Sequence, residues 1–169
     1  ELIVVSRPRA GYDYFKLLRD NALGNFKTMI EKITVNPAML RYLNGIYNTK
    51  FAPDENYARE LMELFTLGKD PASQYTEDDV KAAARVLTGW KLNSDWRDSN
   101  FNSGSHDTTD KTFSSFFGGA TITGKTGAAG AGETQELINL IFTKDDVIAR
   151  YIVRELYKFF VYYNITPAI

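Results

Sequence analysis

A pair of carboxylates is the first group of residues whose types and spacing could do chemistry. Glu60 and Glu63 are three positions apart in NYARELMELFTLG, beside Arg59. On a helix they would share one face, where paired carboxylates serve as general acids and bases or bind divalent cations. The alternative is structural, because Arg59 and Glu63 have the i,i+4 spacing of an ion pair. The charges could also pair with neighbouring helices through Arg85 or Arg154. We favour the structural role, which is the commoner one.

The second group surrounds the only histidine of the chain. His106 is followed directly by Asp107, with Asp110 and Lys111 close behind. An adjacent carboxylate can orient an imidazole or share a metal ion with it, and binding residues concentrate in polar loops. The structural alternative is a turn capped by Asp107 beside a solvated histidine. If His106 and Glu60 face one pocket, they predict a metal-dependent or acid–base hydrolase. The catalytic candidates are Glu60, Glu63, His106 and Asp107, and the metal candidates are His106 and Asp107.

The binding candidates are cationic or aromatic. Arg59 and Lys111 lie beside the two acidic groups in the sequence. Trp90 and Trp96, with Phe101, could form a stacking platform for sugars or for a partner protein. The structural alternative places Trp90 in the core and leaves Trp96 partly exposed.

The stretch GATITGKT, residues 119–126, fits the phosphate-loop pattern G-x-x-x-x-G-K-[ST] at every fixed position. In that motif a buried strand leads in and a helix begins at the Lys-Thr pair, so that free N–H groups hold the anion. Here Lys125 and Thr126 precede GAAGAG, whose glycines disfavour a helix. An acid at the end of an apolar strand is also missing. We therefore predict that Lys125 and Thr126 do not bind a nucleotide and that the segment is a mobile loop.

The composition is that of one globular domain of 169 residues, with 44% hydrophobic and 24% charged residues. A formal net charge of −1 argues against a general nucleic-acid binder. Cysteine is absent, which excludes disulfides and thiolate metal sites, and one histidine excludes a multi-His site within this chain. No apolar run approaches the ~20 residues of a transmembrane helix. No cofactor is implied.

Apolar residues recur at helical spacing over most of the chain, and several helix starts carry capping signals. In YTEDDV, Thr76 can cap a helix while Asp79 reaches back, and FTKDDV repeats the device with Thr143 and Asp146. Asn36 precedes a proline, another typical start. The pattern predicts an all-α fold: a single-domain helical bundle of about seven helices over residues 1–169.

Residues 91–132 interrupt the helical pattern and predict a long loop or hairpin insertion. Phe113 to Thr123 has weak strand character, which suggests one small β-hairpin around Gly118-Gly119. The segment 124–132, the Gly-rich connection, contains four glycines and is expected to be flexible. Loops of this length in compact domains are usually functional or mobile.

The motifs NYARELMELFTLG and YTEDDVKAAARVLTGW resemble the bacterial domain of unknown function 1800 family. Upstream LRDNALGNF and NPAMLRYLNG fit the family, as do HDTTDKTF and VIARYIVRELYKFFVYY downstream. KTFSSFFGG is longer than the family's K-T-F-L-G. The resemblance covers nearly the whole chain and implies a central fragment of a longer protein. It also places GATITGKTGAAGAG in a Gly-rich connection without a nucleotide-binding role.

The resemblance implies no settled activity. Family members are often encoded beside another, exported family, which implies a periplasmic, cell-envelope or secreted setting and an exported partner. We therefore expect a non-enzymatic, envelope-associated accessory or scaffold module. The alternative is the metal-dependent or acid–base hydrolase described above, and nucleotide binding ranks last.

Overall fold

The computed structural model describes residues 7–69 and 71–163, and the predictions about the two chain ends lie outside them. Most of this part is helical. The helices are α1 (Pro8–Asn21), α2 (Phe26–Thr34), α3 (Pro37–Tyr42), α4 (Asn56–Glu63), α5 (Glu77–Val86), α6 (Glu133–Ile141) and α7 (Asp145–Phe160). The strands are β1 (Trp90–Leu92), β2 (Ser99–Phe101), β3 (Lys111–Thr112) and β4 (Thr121–Ile122).

Two small antiparallel sheets correct the all-α prediction. Strands β1 and β2 pair with Trp90 opposite Phe101, and β3 and β4 pair with Lys111 opposite Ile122. The predicted hairpin is therefore present, and its turn uses Gly118 at φ 71° in the left-handed region that glycine tolerates. The β1–β2 sheet was not predicted. Three short 3₁₀ helices lie in the same region: Ser103–Ser105, Ser115–Phe117 and Gly127–Gly132.

The predicted helix starts are confirmed at two positions and wrong at a third. Thr76 and Asp79 form a capping box, and the Asn36 side chain accepts the Ala38 N–H. Thr143 does not cap α7, because its hydroxyl donates to the Leu140 carbonyl oxygen at 2.7 Å. A 3₁₀ turn over residues 142–144 carries α6 almost directly into α7, so Thr143 lacks the extended backbone that a capping residue needs.

The core lies between α4, α5, α6 and the β3–β4 hairpin. Helix α5 contributes Ala83 and Ala84, which are fully buried and small enough for close approach of its neighbours. The surrounding buried side chains come from α4, α6 and the hairpin: Leu61, Met62, Phe113, Ile122, Leu137, Ile138 and Ile141. This packing fixes the C-terminal end of α5 beside the start of α6, where the polar residues converge.

None of the helices within residues 7–69 and 71–163 combines the length and apolar character needed to cross a membrane.

Candidate functional site

His106 is fully buried just beyond the C-terminal end of α5. Its Nδ1 lies 2.9 Å from the Thr88 carbonyl oxygen and 3.1 Å from Thr88 Oγ1. The imidazole ring packs edge-on against Phe101, with ring centroids 5.0 Å apart. A carbonyl oxygen can only accept a hydrogen bond, so Nδ1 carries a proton. The other ring nitrogen, Nε2, faces the Glu133 side chain.

Glu133, the first residue of α6, joins His106 to Lys111. Its Oε1 lies 3.0 Å from His106 Nε2, and its Oε2 lies 2.5 Å from Lys111 Nζ. The Glu133 and Lys111 side chains have no solvent exposure, and that of His106 has 1%. The Lys125 backbone N–H also donates to Oε1 at 2.6 Å, and Lys111 Nζ donates to the Asp107 carbonyl oxygen. We call Thr88, His106, Lys111 and Glu133 the buried cluster.

The His106–Glu133 contact is close but poorly aligned. The nitrogen–oxygen distance is that of an ion pair, yet Nε2 makes no contact with hydrogen-bond geometry. The buried cluster therefore places one carboxylate between a lysine and a histidine.

The Gly-rich connection covers the buried cluster. A Cβ atom on Gly130 would lie 2.7 Å from His106 Cδ2 and 3.0 Å from Phe101 Cζ. A Cβ atom on Gly124 would lie 2.1 Å from the Thr108 carbonyl oxygen. Residues 127–132 form a 3₁₀ helix that continues into α6. The glycines therefore permit close packing of backbone over a histidine, a role that the prediction of a mobile loop did not include.

Asp107 points away from the buried cluster. Its Oδ2 accepts Arg85 Nε at 2.8 Å, and its Oδ1 accepts the Thr109 N–H at 2.9 Å. Burial opposes ionisation of this carboxyl group, but the hydrogen bonds from Arg85 and Thr109 outweigh it and lower its pKa from 3.8 to about 2. The carboxylate is thus held ionised by a partner on α5.

His106 and Asp107 do not share a metal position. His106 has extended backbone, so consecutive side chains leave on opposite sides, one toward Glu133 and the other toward Arg85. Throughout the described ranges, 7–69 and 71–163, no three His, Cys, Asp or Glu side chains form a group that could hold a metal ion. The arrangement can orient an imidazole and bury charge.

A family model described as "Protein of unknown function (DUF1800)" matches residues 4–169. The chain belongs to the DUF1800 family. No curated protein and no solved structure matches it. The match includes the whole buried cluster, the Gly-rich connection and the motifs around α4 and α5.

In this DUF1800 chain the Glu60–Glu63 pair lies in a different polar environment. Arg59 bonds to Glu55 at 2.9 Å and to Glu77 at 2.6 Å. Glu63 pairs with Lys69 at 2.7 Å, so the predicted Arg59–Glu63 pair is wrong. Helix α5 offers Arg59 a second carboxylate across the helix interface, which the local i,i+4 rule does not consider. Arg85, one of the predicted partners, pairs with Asp107 instead.

Glu60 is the one member of this pair with an unexplained polar atom. Its Oε2 is buried and has no hydrogen-bond partner. Among the described residues, His106 contacts Thr88, Phe101 and Glu133 and packs under Gly130, and it makes no contact with Glu60. These contacts therefore do not bring His106 and Glu60 into one pocket.

The two tryptophans have separate surroundings. Trp90 packs edge-on against Phe101, with ring centroids 5.5 Å apart, and its Nε1 donates to Thr134 Oγ1 at 3.0 Å. Trp96 lies in the β1–β2 turn with φ 58°, and the guanidinium groups of Arg7 and Arg41 stand over its ring. Trp90 therefore contributes to the wall beside the buried cluster, while Trp96 stacks with arginines.

The charged groups of GATITGKT are engaged within the chain. Lys125 Nζ forms an ion pair with Glu136, and the Lys125 N–H donates to Glu133. The helical backbone begins at Gly127, one residue after Thr126, as a 3₁₀ helix. The cation and the N–H group that would face a phosphate in a phosphate loop thus face carboxylates here.

Glu133 and Thr88 are the site residues that the sequence did not reveal. Glu133 looks like an ordinary acid in the first turn of a helix, where carboxylates are common on the surface. Its partner Lys111 is 22 residues away, so no local spacing rule joins them. The usable signal is the run of glycines immediately before Glu133, because backbone that must approach closely needs glycine.

Proposed function

We propose that this DUF1800 chain is a non-enzymatic scaffold or interaction module that acts at the cell envelope. The observation that supports it is the closure of the buried cluster. Its cationic and anionic groups bind one another and are covered by the backbone of the Gly-rich connection. A catalytic acid or base must reach the proton that it transfers, within hydrogen-bond distance or through one water. His106 and Glu133 reach only each other and their protein neighbours.

An apolar groove supplies the surface that such a module would use. It has a volume of about 250 Å³ and runs between α1, α2, the residues just after α4, and α7. Apolar side chains from all four regions line it, among them Leu18, Met29, Leu64 and Ile152. Beyond Ile152, helix α7 leaves further apolar side chains in solvent: Val153, Leu156, Phe159 and Phe160. Contiguous exposed apolar surface is typical of protein contact sites.

The hydrolase alternative keeps one point of support. Glu60 Oε2 is buried and unpartnered, and such a carboxylate is a candidate for binding or proton transfer. Its neighbours on α4 are engaged in ion pairs, with Arg59 bonded to Glu55 and Glu77. The two proposals make different predictions for ligands, so one experiment separates them.

That experiment is a thermal-shift panel with divalent metals, Mg-nucleotides and oligosaccharides. A ligand at a hundred times its dissociation constant stabilises a protein by about 2.7 kcal/mol, which moves the melting midpoint by a few degrees. The scaffold proposal predicts no ligand-specific shift. A metal-specific shift that disappears in Glu60→Gln or in His106→Gln would contradict it and support the hydrolase. A nucleotide shift that disappears in Lys125→Ala would support the third alternative.

The surface and its location have their own test. The expected partner is an exported protein that presents an apolar helix. We expect Phe159→Ser to weaken its binding by at least tenfold. The matched control is Phe51→Ser, since Phe51 is equally exposed but lies in the turn after residue 48, away from the groove.

Cell fractionation should recover the protein with the envelope or periplasm. Recovery only with cytoplasmic proteins would contradict the proposed location.

A further inference from the structure

We propose that Arg7, Arg41 and Trp96 form a binding site for an oxyanion, the carboxylate or phosphate group of an anionic ligand. The site shares no residue with the buried cluster or the apolar groove, and it does not rest on the scaffold proposal. Three separate segments supply it. Arg7 directly precedes α1, Arg41 lies in α3, and Trp96 lies in the turn between β1 and β2.

The two guanidinium groups converge on one aromatic ring. Their central carbons stand over the Trp96 ring, 5.4 Å from its centroid for Arg7 and 5.8 Å for Arg41. Arg41 also stands over the half-exposed ring of Tyr47 at 5.6 Å, and its Nη1 donates to the Tyr47 hydroxyl at 2.9 Å. Stacking on aromatic faces restricts these long side chains, so less conformational entropy is lost when a ligand binds them.

Both arginines keep unused hydrogen-bond donors. Within residues 7–69 and 71–163 neither forms an ion pair, whereas Arg59 and Arg85 are each bound to carboxylates. Asp95, in the same turn as Trp96, accepts the backbone N–H of residue 97 instead. A guanidinium offers five N–H donors in a planar fork that matches the oxygens of a carboxylate or a phosphate. Two such forks held at one ring therefore indicate an oxyanion as the ligand.

The backbone at Trp96 provides an independent observation. Its φ of 58° lies in the left-handed region, which glycine accepts readily and a bulky aromatic residue does not. The Trp96 N–H donates to the Asn93 carbonyl oxygen at 3.0 Å, which closes the turn without any contribution from the indole. Large side chains held in strained backbone are concentrated at functional sites. The turn alone therefore does not explain the tryptophan, whereas a role in holding two arginines does.

Calorimetric titration of the purified chain tests the site with three probes: inorganic phosphate, trigalacturonate and the uncharged sugar maltotriose. We expect saturable binding of at least one of the two anions and none of maltotriose. Binding of phosphate alone would identify a phosphate ligand, and binding of trigalacturonate alone would identify a carboxylate. Affinity should fall as salt is added, because exposed charges are screened. Absence of binding by both anions, or equal binding of maltotriose, would overturn the proposal.

Arginine variants locate the binding site. Arg7→Gln and Arg41→Gln should each weaken binding of the anion about tenfold, the usual effect of losing a charge-assisted hydrogen bond. The matched control is Arg150→Gln on α7, which removes the same charge from another exposed arginine that has no ion pair within the described residues. Equal weakening in the control would show a non-specific charge effect and would overturn the site.

Trp96→Gly separates a binding role from a structural one. Glycine suits the left-handed backbone, so the melting midpoint should stay the same or rise. Binding of the anion should nevertheless weaken about fivefold, because the two guanidinium groups lose the ring that holds them. A lower melting midpoint with unchanged anion binding would show that Trp96 only fastens the turn to α1 and α3, which would contradict the proposal.

Discussion

The buried cluster and the apolar groove differ in whether their side chains are engaged within the chain or exposed to solvent. Around the buried cluster, charged and polar groups from four segments pair with one another, and glycine backbone covers them. In the groove, apolar side chains such as Leu64 stay exposed beside buried core residues, and the second half of α7 adds further exposed apolar side chains. The difference indicates that the charged groups of the buried cluster are engaged within the chain, whereas the apolar groove is left available for contact.

The comparison implies that substitutions in the two regions have very different costs. Removing one member of a buried ion pair leaves an uncompensated charge, which costs far more than an exposed pair contributes. Removing an exposed apolar side chain changes the surface and little else within the chain. The following variants test this contrast in order of expected effect.

Glu133→Ala should lower the free energy of unfolding by about 3–5 kcal/mol, because it leaves Lys111 buried without a counter-charge. Denaturant unfolding followed by circular dichroism measures the change. The control is Glu136→Ala, one turn further along α6, whose pair with Lys125 is partly exposed. That variant should change the free energy by about 1 kcal/mol or less. Similar losses for the two variants would contradict the special role of the buried cluster.

Gly130→Ala should cost about 1–3 kcal/mol, because its methyl group would overlap the His106 ring and the Phe101 ring. Gly132→Ala in the same connection meets nothing within 4 Å and should be nearly neutral. The comparison of their melting midpoints separates packing from chain flexibility. Equal effects would mean that the connection does not pack on His106.

The Asp107–Arg85 pair predicts a defined pH dependence. The folded-state pKa of Asp107 is depressed from 3.8 to about 2, so its stabilising contribution is complete above the unfolded value and is lost as the pH falls from about 4 to about 2. Asp107→Asn should remove roughly 1–2 kcal/mol from the stability at neutral pH and flatten that acid limb. Unfolding measured between pH 7 and pH 2 checks it. An acid limb that is unchanged by the substitution would show that Arg85 does not hold this carboxylate.

The smallest effect on stability is expected on α7. Phe159→Ser replaces a side chain that is 81% exposed and should change the free energy of unfolding of this chain by no more than about 0.5 kcal/mol. The same unfolding assay measures it. A loss of several kcal/mol would show that α7 packs within the chain and that the groove is not available for contact.

Sequence signals predicted local structure best where that structure depends only on residues close together in the sequence. The capping box of Thr76 and Asp79 spans three positions, and it is present. The matching signal at Thr143 failed, because a 3₁₀ turn joins α6 to α7 and sets the backbone there. The strands β1 and β2 are only three residues long, too short for an alternating pattern to stand out from their polar surroundings.

Two members of the buried cluster, His106 and Lys111, were candidates in the sequence, but the arrangement of the cluster was not predicted. His106 was identified because it is the only histidine, but its polar neighbours in the sequence suggested a solvated loop. In the structure its ring is buried, and its closest charged neighbour is Glu133 rather than Asp107. Sequence spacing does not predict a contact between a strand and the start of a helix that is distant in the sequence. The glycines of the connection were interpreted as flexibility, whereas in the structure Gly124 and Gly130 pack closely on Thr108 and His106.

A double-mutant cycle on Lys111 and Glu133 tests most directly whether the buried cluster is part of the architecture. Lys111→Met and Glu133→Leu should each lower the free energy of unfolding by about 3–5 kcal/mol, since each leaves one buried charge unpaired. The double variant should recover most of that loss, with a coupling energy of at least about 2 kcal/mol. Additive losses, with no coupling between the two residues, would contradict the role of the buried cluster in holding β3, α6 and the Gly-rich connection together.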